Sequence, residues 1–228
     1  MAAGINTKKS NQSFAQIWPM ITVLGIVIYI AIDIVLAFLR PEYSILHNAE
    51  SDYGRGQYFW VMDINFLLRC VLSLALVKAI WDTFSKNNAI KKASYWLIAW
   101  AIASGLLAFF ADNPYGYLKL KSGSIHLLLA FVAFISVLVG LILLNIRFRA
   151  IKNWHKTSNL LISATILAIV SLLLMGHSGF RPHTLGSLYE RVFLGSILLW
   201  EGIVAIKIIS VNNKASSASR NHDYCYDS

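Results

Sequence analysis

The sequence predicts an all-α fold: a polytopic membrane protein with a six-helix transmembrane bundle and both termini cytoplasmic. Hydrophobic residues make up 57% of the 228 positions and charged residues only 14%, whereas about 25% of a soluble domain is charged. Six apolar stretches approach the roughly 20 residues that a helix needs to cross a hydrocarbon core. Basic residues gather in alternate connections between these stretches, which is the pattern that sets membrane orientation.

The first apolar stretch, 17–39, begins after Lys8 and Lys9, as the apolar part of a secretory signal does. It is too long for a signal core, and no small-residue cleavage site follows it. We therefore interpret 1–16 as a cytoplasmic N-terminal segment and 17–39 as an uncleaved span.

The second and third spans are predicted at 58–83 and 95–110. The third is short for a crossing helix, so we expect its ends to extend into neighbouring residues. It carries Ala101 and Gly105, a pair of small residues four positions apart. Such pairs let two membrane helices approach closely, which predicts a tight helix contact there.

The last three spans are predicted at 124–144, 160–175 and 188–209. The side chains that could cap the fourth and fifth helices are Ser122, Ser124, Thr157, Ser158 and Asn159. The polar residues 210–228 are predicted to form a disordered cytoplasmic tail. The chain therefore has one folded unit, the six-span domain 17–209.

Basic residues are unevenly divided between the two ends of the spans. The richer end has Lys8, Lys9, Lys86, Lys91, Lys92, Arg147, Arg149, Lys152, Lys156, Lys207, Lys214 and Arg220. The other end has Arg40, Arg55, Lys119, Lys121, Arg181 and Arg191. The richer end should be cytoplasmic, in a multi-pass protein of the cell membrane (the inner membrane of a Gram-negative cell). The net charge of +9 then indicates contact with membrane lipids and not with nucleic acid.

Each span carries one titratable residue near the same end, which this orientation places outside. In chain order these residues are Asp33, Asp63, Asp112, His126, His177 and Glu190. Ionisable groups in a membrane are costly and are rarely placed there without a partner or a task. The pattern predicts an outward-facing polar pocket where these side chains converge. The alternative is that each simply reaches from its helix end to the headgroups.

A second polar feature lies deeper, near the middle of two spans. Arg69 in the second span and Glu201 in the sixth differ in depth by about 3 Å at a helical rise of 1.5 Å per residue. Each charge would be costly alone, so we expect a direct contact between the two side chains. The contact is predicted to be a structural lock between helices, with a proton or ion path as the alternative.

Several short motifs occur in the same order as in a known family. They are Tyr43-Ser44-Ile45-Leu46, Ser51-Asp52-Tyr53-Gly54, Phe109-Phe110-Ala111-Asp112-Asn113-Pro114, Ile125-His126, Leu188-Tyr189-Glu190-Arg191 and Trp200. The chain resembles the six-span prokaryotic membrane proteins of domain of unknown function 998, which are thought to share a fold with the Frag/DRAM/Sfk proteins. The resemblance implies the six-span topology and highlights Asp112, His126, Glu190 and Arg191. It implies no established activity.

Two main functions are open for the outer end. The first is binding of a small polar ligand or a lipid headgroup, with Arg191 and Arg181 attracting its anionic part. The second is a metal-dependent membrane hydrolase that acts on a lipid ester or amide, with a divalent metal as cofactor. Its candidate metal ligands are Asp63, Asp112, His126, His177 and Glu190. No established metal-binding spacing occurs in the spans, so the sequence narrowly favours binding and leaves open whether the protein is an enzyme.

A transporter or a haem protein is the third class. Transporters often use helices broken at mid-membrane, but Pro19, Pro41, Pro114 and Pro182 all lie away from the span centres. A haem could be held by two histidines from two helices, namely His126 and His177.

Overall fold

The computed structural model describes the backbone of residues 3–112, 121–179 and 184–224, and the side chains of 16–112, 121–179 and 184–214. The described chain is all-helical, without a strand. Its long helices are α1 (Ala3–Leu39), α2 (Phe59–Thr83), α3 (Asn88–Leu106), α4 (Lys121–Arg149), α5 (His155–Ser178) and α6 (Gly186–Tyr224). Each of these six contains a segment long and apolar enough to cross a membrane, which confirms the predicted six-helix architecture.

Helices α3, α4 and α5 each begin several residues earlier than the sequence predicted. The side chain of Asn87 accepts a hydrogen bond from the Ile90 N–H at 3.1 Å, which starts α3 at Asn88. α4 and α5 begin at Lys121 and His155. The predicted caps of these two helices therefore lie inside them, and the cap assignments were wrong.

The two ends of the chain are also more helical than predicted. α1 already begins at Ala3, within the predicted N-terminal segment. α6 continues past 209 to Tyr224, so the backbone of 210–224 is helical, where the sequence predicted disorder. Neither glycine nor proline occurs between 210 and 224, so the usual signals that end a helix are missing.

The six helices form a closed ring in chain order. Each helix packs on the next, α1 completes the ring by packing on α6, and α2 also contacts α6 across it. In its most apolar stretch, 56% of the α6 residues are buried but only 22% of those of α1. Polar side chains on the inner faces of α2 and α6 are therefore kept away from lipid.

Close helix contacts depend on two glycines. A Cβ atom at Gly105 would lie 2.9 Å from the Cβ of Cys70, which brings α3 against α2. A Cβ atom at Gly25 would lie 2.8 Å from the Cβ of Leu72, which brings α1 against α2. The tight contact predicted from the small-residue pair on the third span is therefore present at Gly105.

The half of the bundle that contains the α2–α3 turn has an apolar and aromatic core. The Trp200 indole donates to Asn145 Oδ1 at 2.9 Å, and Asn145 Nδ2 donates to Thr165 Oγ1 at 2.8 Å. The rings of Phe148 and Trp154 stack at 4.6 Å. These hydrogen bonds and ring contacts join α4, α5 and α6, so this half supports the rest of the bundle.

Residues 40–58, hereafter the 40–58 loop, connect α1 to α2 and cover what we call the loop end of the bundle. A 3-10 helix at Glu50–Gly54 is buried along its whole length. Arg40, only 5% exposed, donates to the carbonyl oxygens of Arg55 (2.6 Å) and Gln57 and pairs with Glu42. The loop therefore folds over this end of the bundle, and the buried Arg40 side chain holds its backbone in place.

Candidate functional site

Beneath the 40–58 loop lies a connected set of buried and half-buried polar side chains. We call it the loop-end cluster; its members are Tyr29, Asp33, Glu50, Tyr53, Glu190 and Arg191. The helices α1 and α6 and the loop each supply two of them. Arg69, on α2, approaches the cluster from the middle of the bundle.

The centre of the cluster is a chain of hydrogen bonds with a fixed direction. Arg69 Nη1 lies 3.1 Å from the Tyr29 hydroxyl oxygen. A guanidinium only donates, so the Tyr29 hydroxyl donates its own hydrogen to Glu50 Oε1. The Glu50 N–H in turn donates to Glu190 Oε2 at 2.9 Å. These bonds join α2, α1, the loop and α6.

Asp33 lies one helical turn after Tyr29 on α1, within electrostatic range of Glu50, Arg191 and Arg69. Its Oδ1 atom is buried and has no hydrogen-bond partner in the described part of the chain. A buried acceptor without a donor is costly and uncommon. Asp33 Oδ1 can therefore accept a hydrogen bond from a further group.

Arg191 and Tyr53 each have one more buried polar atom without a hydrogen-bond partner among the described residues. Arg191 Nη1 donates to the Asn48 carbonyl oxygen at 2.7 Å, and its guanidinium carbon lies 5.8 Å from the centre of the Tyr53 ring. Arg191 Nη2 and the Tyr53 hydroxyl are both buried without a partner among the described residues. Burial raises the pKa of Tyr53, although Arg191 acts in the opposite direction, so the phenol keeps its hydrogen at neutral pH.

Asp52 fastens the loop and does not face the cluster. Its Oδ2 accepts from the Ala49 N–H at 2.9 Å and its Oδ1 pairs with Arg55. Burial raises the pKa of the Asp52 carboxyl, although the charge of Arg55 lowers it. The burial effect is the larger one, so the ion pair compensates only part of the lost hydration.

Asp112 and His126 form a separate group at the rim of the loop. Ser51 Oγ donates to Asp112 Oδ2 at 3.1 Å. His126 Nδ1 lies 2.7 Å from the Phe110 carbonyl oxygen, which can only accept, so the Nδ1 atom carries the hydrogen. Asp112 therefore fastens the loop to the end of α3, and His126 fixes the chain that leads out of α3.

Asp63 and His177 stay apart from the other candidates. His177 is exposed, and neither side chain makes a hydrogen bond or ion pair within the described residues. Neither takes part in the hydrogen bonds of the loop-end cluster. Arg181, expected to help attract an anion, lies outside the described residues.

The candidate metal ligands do not come together. In the described part of the chain, no three His, Cys, Asp or Glu side chains are grouped so that they could hold a metal ion. His126 is buried against the Phe66 ring at 6.2 Å, whereas His177 is exposed. Neither the hydrolase nor the haem interpretation gains a ligand set from this geometry.

Arg69 and Glu201 are both buried, as predicted, but the expected direct contact is absent. The ion pairs within 4.0 Å among the described residues are Arg40–Glu42, Arg55–Asp52 and Lys78–Asp82. Glu201 is instead hydrogen-bonded to Ser73, whose Oγ is 2.7 Å from Glu201 Oε1. The Arg69 guanidinium lies instead among aromatic rings, 5.2 Å from Phe66 and 5.2 Å from Trp100. The positions of Arg69 and Glu201 along their helices predicted that the two charges lie at one level of the bundle. They did not predict the direction in which each side chain points.

The sequence analysis missed Tyr29, Tyr53 and Trp100. Tyr29 could have been found because it shares a helical face with Asp33, four residues later. Tyr53 carried no such signal, since it lies in a loop without periodicity. Trp100 looked like an ordinary apolar residue, and its contact with Ser73 at 3.2 Å follows only from the packing of α3 on α2.

Comparison with known proteins gives a family and no function. Residues 23–207 match the family described as "Protein of unknown function (DUF998)". No curated protein and no solved structure matches the chain significantly. The kinship with Frag/DRAM/Sfk proteins therefore stays a prediction.

Proposed function

The chain belongs to the DUF998 family of proteins of unknown function, and we propose that its loop-end cluster binds the polar headgroup of a membrane lipid or a small polar molecule of the same chemistry. One observation carries the proposal. Asp33 Oδ1, the Tyr53 hydroxyl and Arg191 Nη2 are all buried without a hydrogen-bond partner in the described chain. Buried polar groups are normally paired, so a ligand would complete them.

The chemistry of these atoms indicates a ligand with two opposite charges. A carboxylate oxygen accepts from an ammonium group, and a guanidinium donates to a phosphate or carboxylate. Asp33 and Arg191 lie within electrostatic range of each other. A zwitterion such as a phosphoethanolamine group therefore suits the pair, and the Tyr53 hydroxyl can serve either half.

The surroundings of Asp33 favour a lipid as the source of that group. α1 is the least enclosed of the six helices. Ile34, Val35 and Phe38, beside Asp33, are exposed on its surface, Phe38 by 81%. Apolar side chains at this position would contact acyl chains in a membrane. A headgroup at Asp33 would then keep its tails along α1.

The orientation proposed for this function places the loop end outside the cell and the basic end in the cytoplasm. The described basic end carries Lys86, Lys91, Lys92, Arg147, Arg149, Lys152 and Lys156 near its connections. An excess of Lys and Arg in short connections is typical of the cytoplasmic side. A reporter active only in the cytoplasm should work when fused to the C-terminus and fail when inserted after Glu42.

The binding test uses the full chain in nanodiscs and native mass spectrometry. We expect the wild-type protein to retain phosphatidylethanolamine over phosphatidylglycerol. Asp33→Asn and Arg191→Gln should each weaken retention about tenfold or more, since a hydrogen bond to a charged group contributes about 1.5–3 kcal/mol. Asp63→Asn is the matched control, because Asp63 lies near the start of α2 at the same end and makes no hydrogen bond or ion pair among the described residues.

Two further arms make the result decisive. Soluble phosphoethanolamine, added to delipidated protein, distinguishes a small-molecule site from a lipid site. A thermal melt of each variant separates lost binding from lost folding, because Arg191 also holds the loop through Asn48. If Asp33→Asn and Asp63→Asn retain both probes as the wild type does, the loop-end cluster is not a binding site.

A further inference from the structure

Glu201 is a buried acid that the proposed lipid site does not use. It lies on α6, is 0% exposed, and makes no ion pair within 4.0 Å among the described residues. Its Oε1 atom lies 2.7 Å from Ser73 Oγ, while its Oε2 atom is buried without a partner. An ionised carboxylate in this position has lost its water and gained one hydroxyl in return.

The direction of the hydrogen bonds around Glu201 can be worked out atom by atom. Trp100 Nε1 lies 3.2 Å from Ser73 Oγ, and an indole N–H only donates. Ser73 therefore accepts from Trp100 and must donate its single hydrogen to Glu201 Oε1. Oε1 is thus an acceptor in a fixed geometry, and Oε2 is the atom that remains available for a proton.

We propose that Glu201 takes up and releases a proton at Oε2, which gives this protein a proton-binding site in the middle of its bundle. Uptake converts the carboxylate to a neutral carboxylic acid, and release returns the proton to water. No other bond forms or breaks. Buried acids inside membrane helices serve as proton carriers in pumps and transporters, so such a site is a functional device as well as a structural feature.

The charged and titratable groups around Glu201 are few. From α2 it faces Arg69 and Ser73, and from α3 the Trp100 indole. The nearest titratable group on α1 is Tyr29, which Arg69 contacts at 3.1 Å. α5 carries its titratable residues, His155, Lys156 and His177, at its two ends. Arg69 is therefore the one cation of the described chain that acts on Glu201, and it is shared with the Tyr29–Glu50 chain.

A proton fits this site better than a metal ion. Metal cations such as Ca²⁺ need about six or more oxygen ligands, often including backbone carbonyls. α2 and α6 run unbroken through this depth, so their carbonyls are engaged within the helices. Glu201 and Ser73 alone supply too few oxygens, whereas one carboxylate oxygen is enough for a proton.

The loop-end cluster, Arg69 and Glu201 taken together are short of positive charge. They contain four carboxyl groups, those of Asp33, Glu50, Glu190 and Glu201, and two guanidinium groups, those of Arg69 and Arg191. A membrane interior does not tolerate two unbalanced negative charges without protons or bound cations. A neutral Glu201 accounts for one of the two.

Infrared difference spectroscopy of the full chain in nanodiscs tests the proposal. Spectra recorded at acidic and alkaline pH should contain a carbonyl stretch of a protonated carboxyl group, and Glu201→Gln should remove it. Glu42→Gln is the control, because Glu42 is exposed in the 40–58 loop and should leave the band unchanged. Ser73→Ala should shift the frequency of the band, since it removes the Ser73 hydrogen bond to Oε1.

The Ser73→Ala spectrum keeps the test valid if Glu201→Gln does not fold. Other buried carboxyl groups can give bands of their own, so the proposal is overturned if every pH-dependent carboxyl band of the wild type persists unchanged in both Glu201→Gln and Ser73→Ala. A wild-type spectrum without a pH-dependent carboxyl band overturns it as well. The lipid-retention assay is independent of this result, because it reports on Asp33 and Arg191 and not on Glu201.

Discussion

Arg69 is the residue on which the two polar regions of the bundle depend. Its Nη1 donates to Tyr29, its charge acts on Glu201, and three aromatic rings surround it, including that of Trp100 at 5.2 Å. Its contacts with the rings allow a buried guanidinium to remain charged without an ion pair. One cation thus acts on acids of both α1 and α6, namely Asp33 and Glu201.

Arg69→Met should destabilise the protein by about 3–5 kcal/mol, because it leaves buried acids without their cation. Equilibrium unfolding in mixed detergent micelles would measure the change. Arg149→Met is the matched control: Arg149 is exposed near the end of α4, and its loss should change the free energy of unfolding little. Equal stabilities of the two variants would show that Arg69 is not needed to balance the buried acids.

Asp52 gives the 40–58 loop a pH dependence with a definite sign. Burial raises the pKa of its carboxyl, against the opposing charge of Arg55, so the folded loop binds a proton more tightly than the open loop. Its contribution to stability is therefore full below the ordinary carboxyl pKa of about 4 and is lost as the pH rises through the folded value.

Hydrogen exchange of the loop amides, corrected for the intrinsic pH effect, should show more protection at acidic than at neutral pH. Asp52→Asn removes the titrating group and should flatten this dependence, while its side-chain oxygen can still accept from the Ala49 N–H. Glu42→Gln, an exposed change in the same loop, should leave the dependence in place. Protection that increases toward neutral pH in the wild type would contradict the assigned direction.

At the scale of the helices, packing is decided by where small residues meet large ones. A Cβ atom at Gly105 would collide with Cys70 at 2.9 Å, whereas nothing lies within 4 Å of a Cβ atom at Gly195. Both glycines lie within long helices, so they differ in surroundings and not in backbone conformation. The pair therefore separates the cost of close packing from the effect of helix propensity.

Gly105→Ala should cost about 1–3 kcal/mol, since the methyl group overpacks the α2–α3 contact. Gly195→Ala should cost nothing and could gain up to about 1 kcal/mol, because alanine is the better helix former. Thermal melts of both variants in the same detergent would measure the difference. A Gly105→Ala variant as stable as the wild type would mean that α3 can move away from α2 without loss.

The helices themselves were predictable because length and apolarity are sufficient to recognise a membrane span. Their ends were not, since α3 begins at a capping Asn87 that lies in a polar stretch, and α6 continues because no glycine or proline stops it. The sequence also did not predict how each helix is rotated about its own axis. His177 and Glu190 lie at the same end of the bundle, but one is exposed and the other is buried against the loop.

The fold of the whole molecule shows why the sequence predicted only part of the site. One titratable residue per span fixed the end of the bundle where a site should lie, and Asp33, Glu190 and Arg191 do meet there. The 40–58 loop then changes the arrangement, because its folding adds Glu50 and Tyr53 to the cluster and buries them. A loop without a periodic pattern gives no sequence signal for such a position. Three residues highlighted by the family resemblance hold it in place: Asp112 through Ser51, Glu190 through the Glu50 N–H, and Arg191 through the Asn48 carbonyl.

Closure of the helix ring by α1 and α6 is the property of the whole bundle on which the cluster depends, since Asp33 comes from one and Glu190 from the other. At the opposite end of these helices, Gln16 Nε2 donates to Asn213 Oδ1 at 2.6 Å. A Gln16→Cys, Asn213→Cys variant, with Cys70 and Cys225 replaced by alanine, should therefore be linked within one chain by a short bismaleimide.

The linked chain should migrate as a compact monomer on a denaturing gel, because the reagent closes a loop through almost the whole sequence. Gln16→Cys with Arg149→Cys is the control pair, since α4 lies opposite α1 in the ring and a short linker cannot span the bundle. Equal linking of both pairs would indicate unspecific reaction, and dimers alone would place α1 against another chain. Either result would remove α1, and with it Asp33, from the site that α6 helps to form.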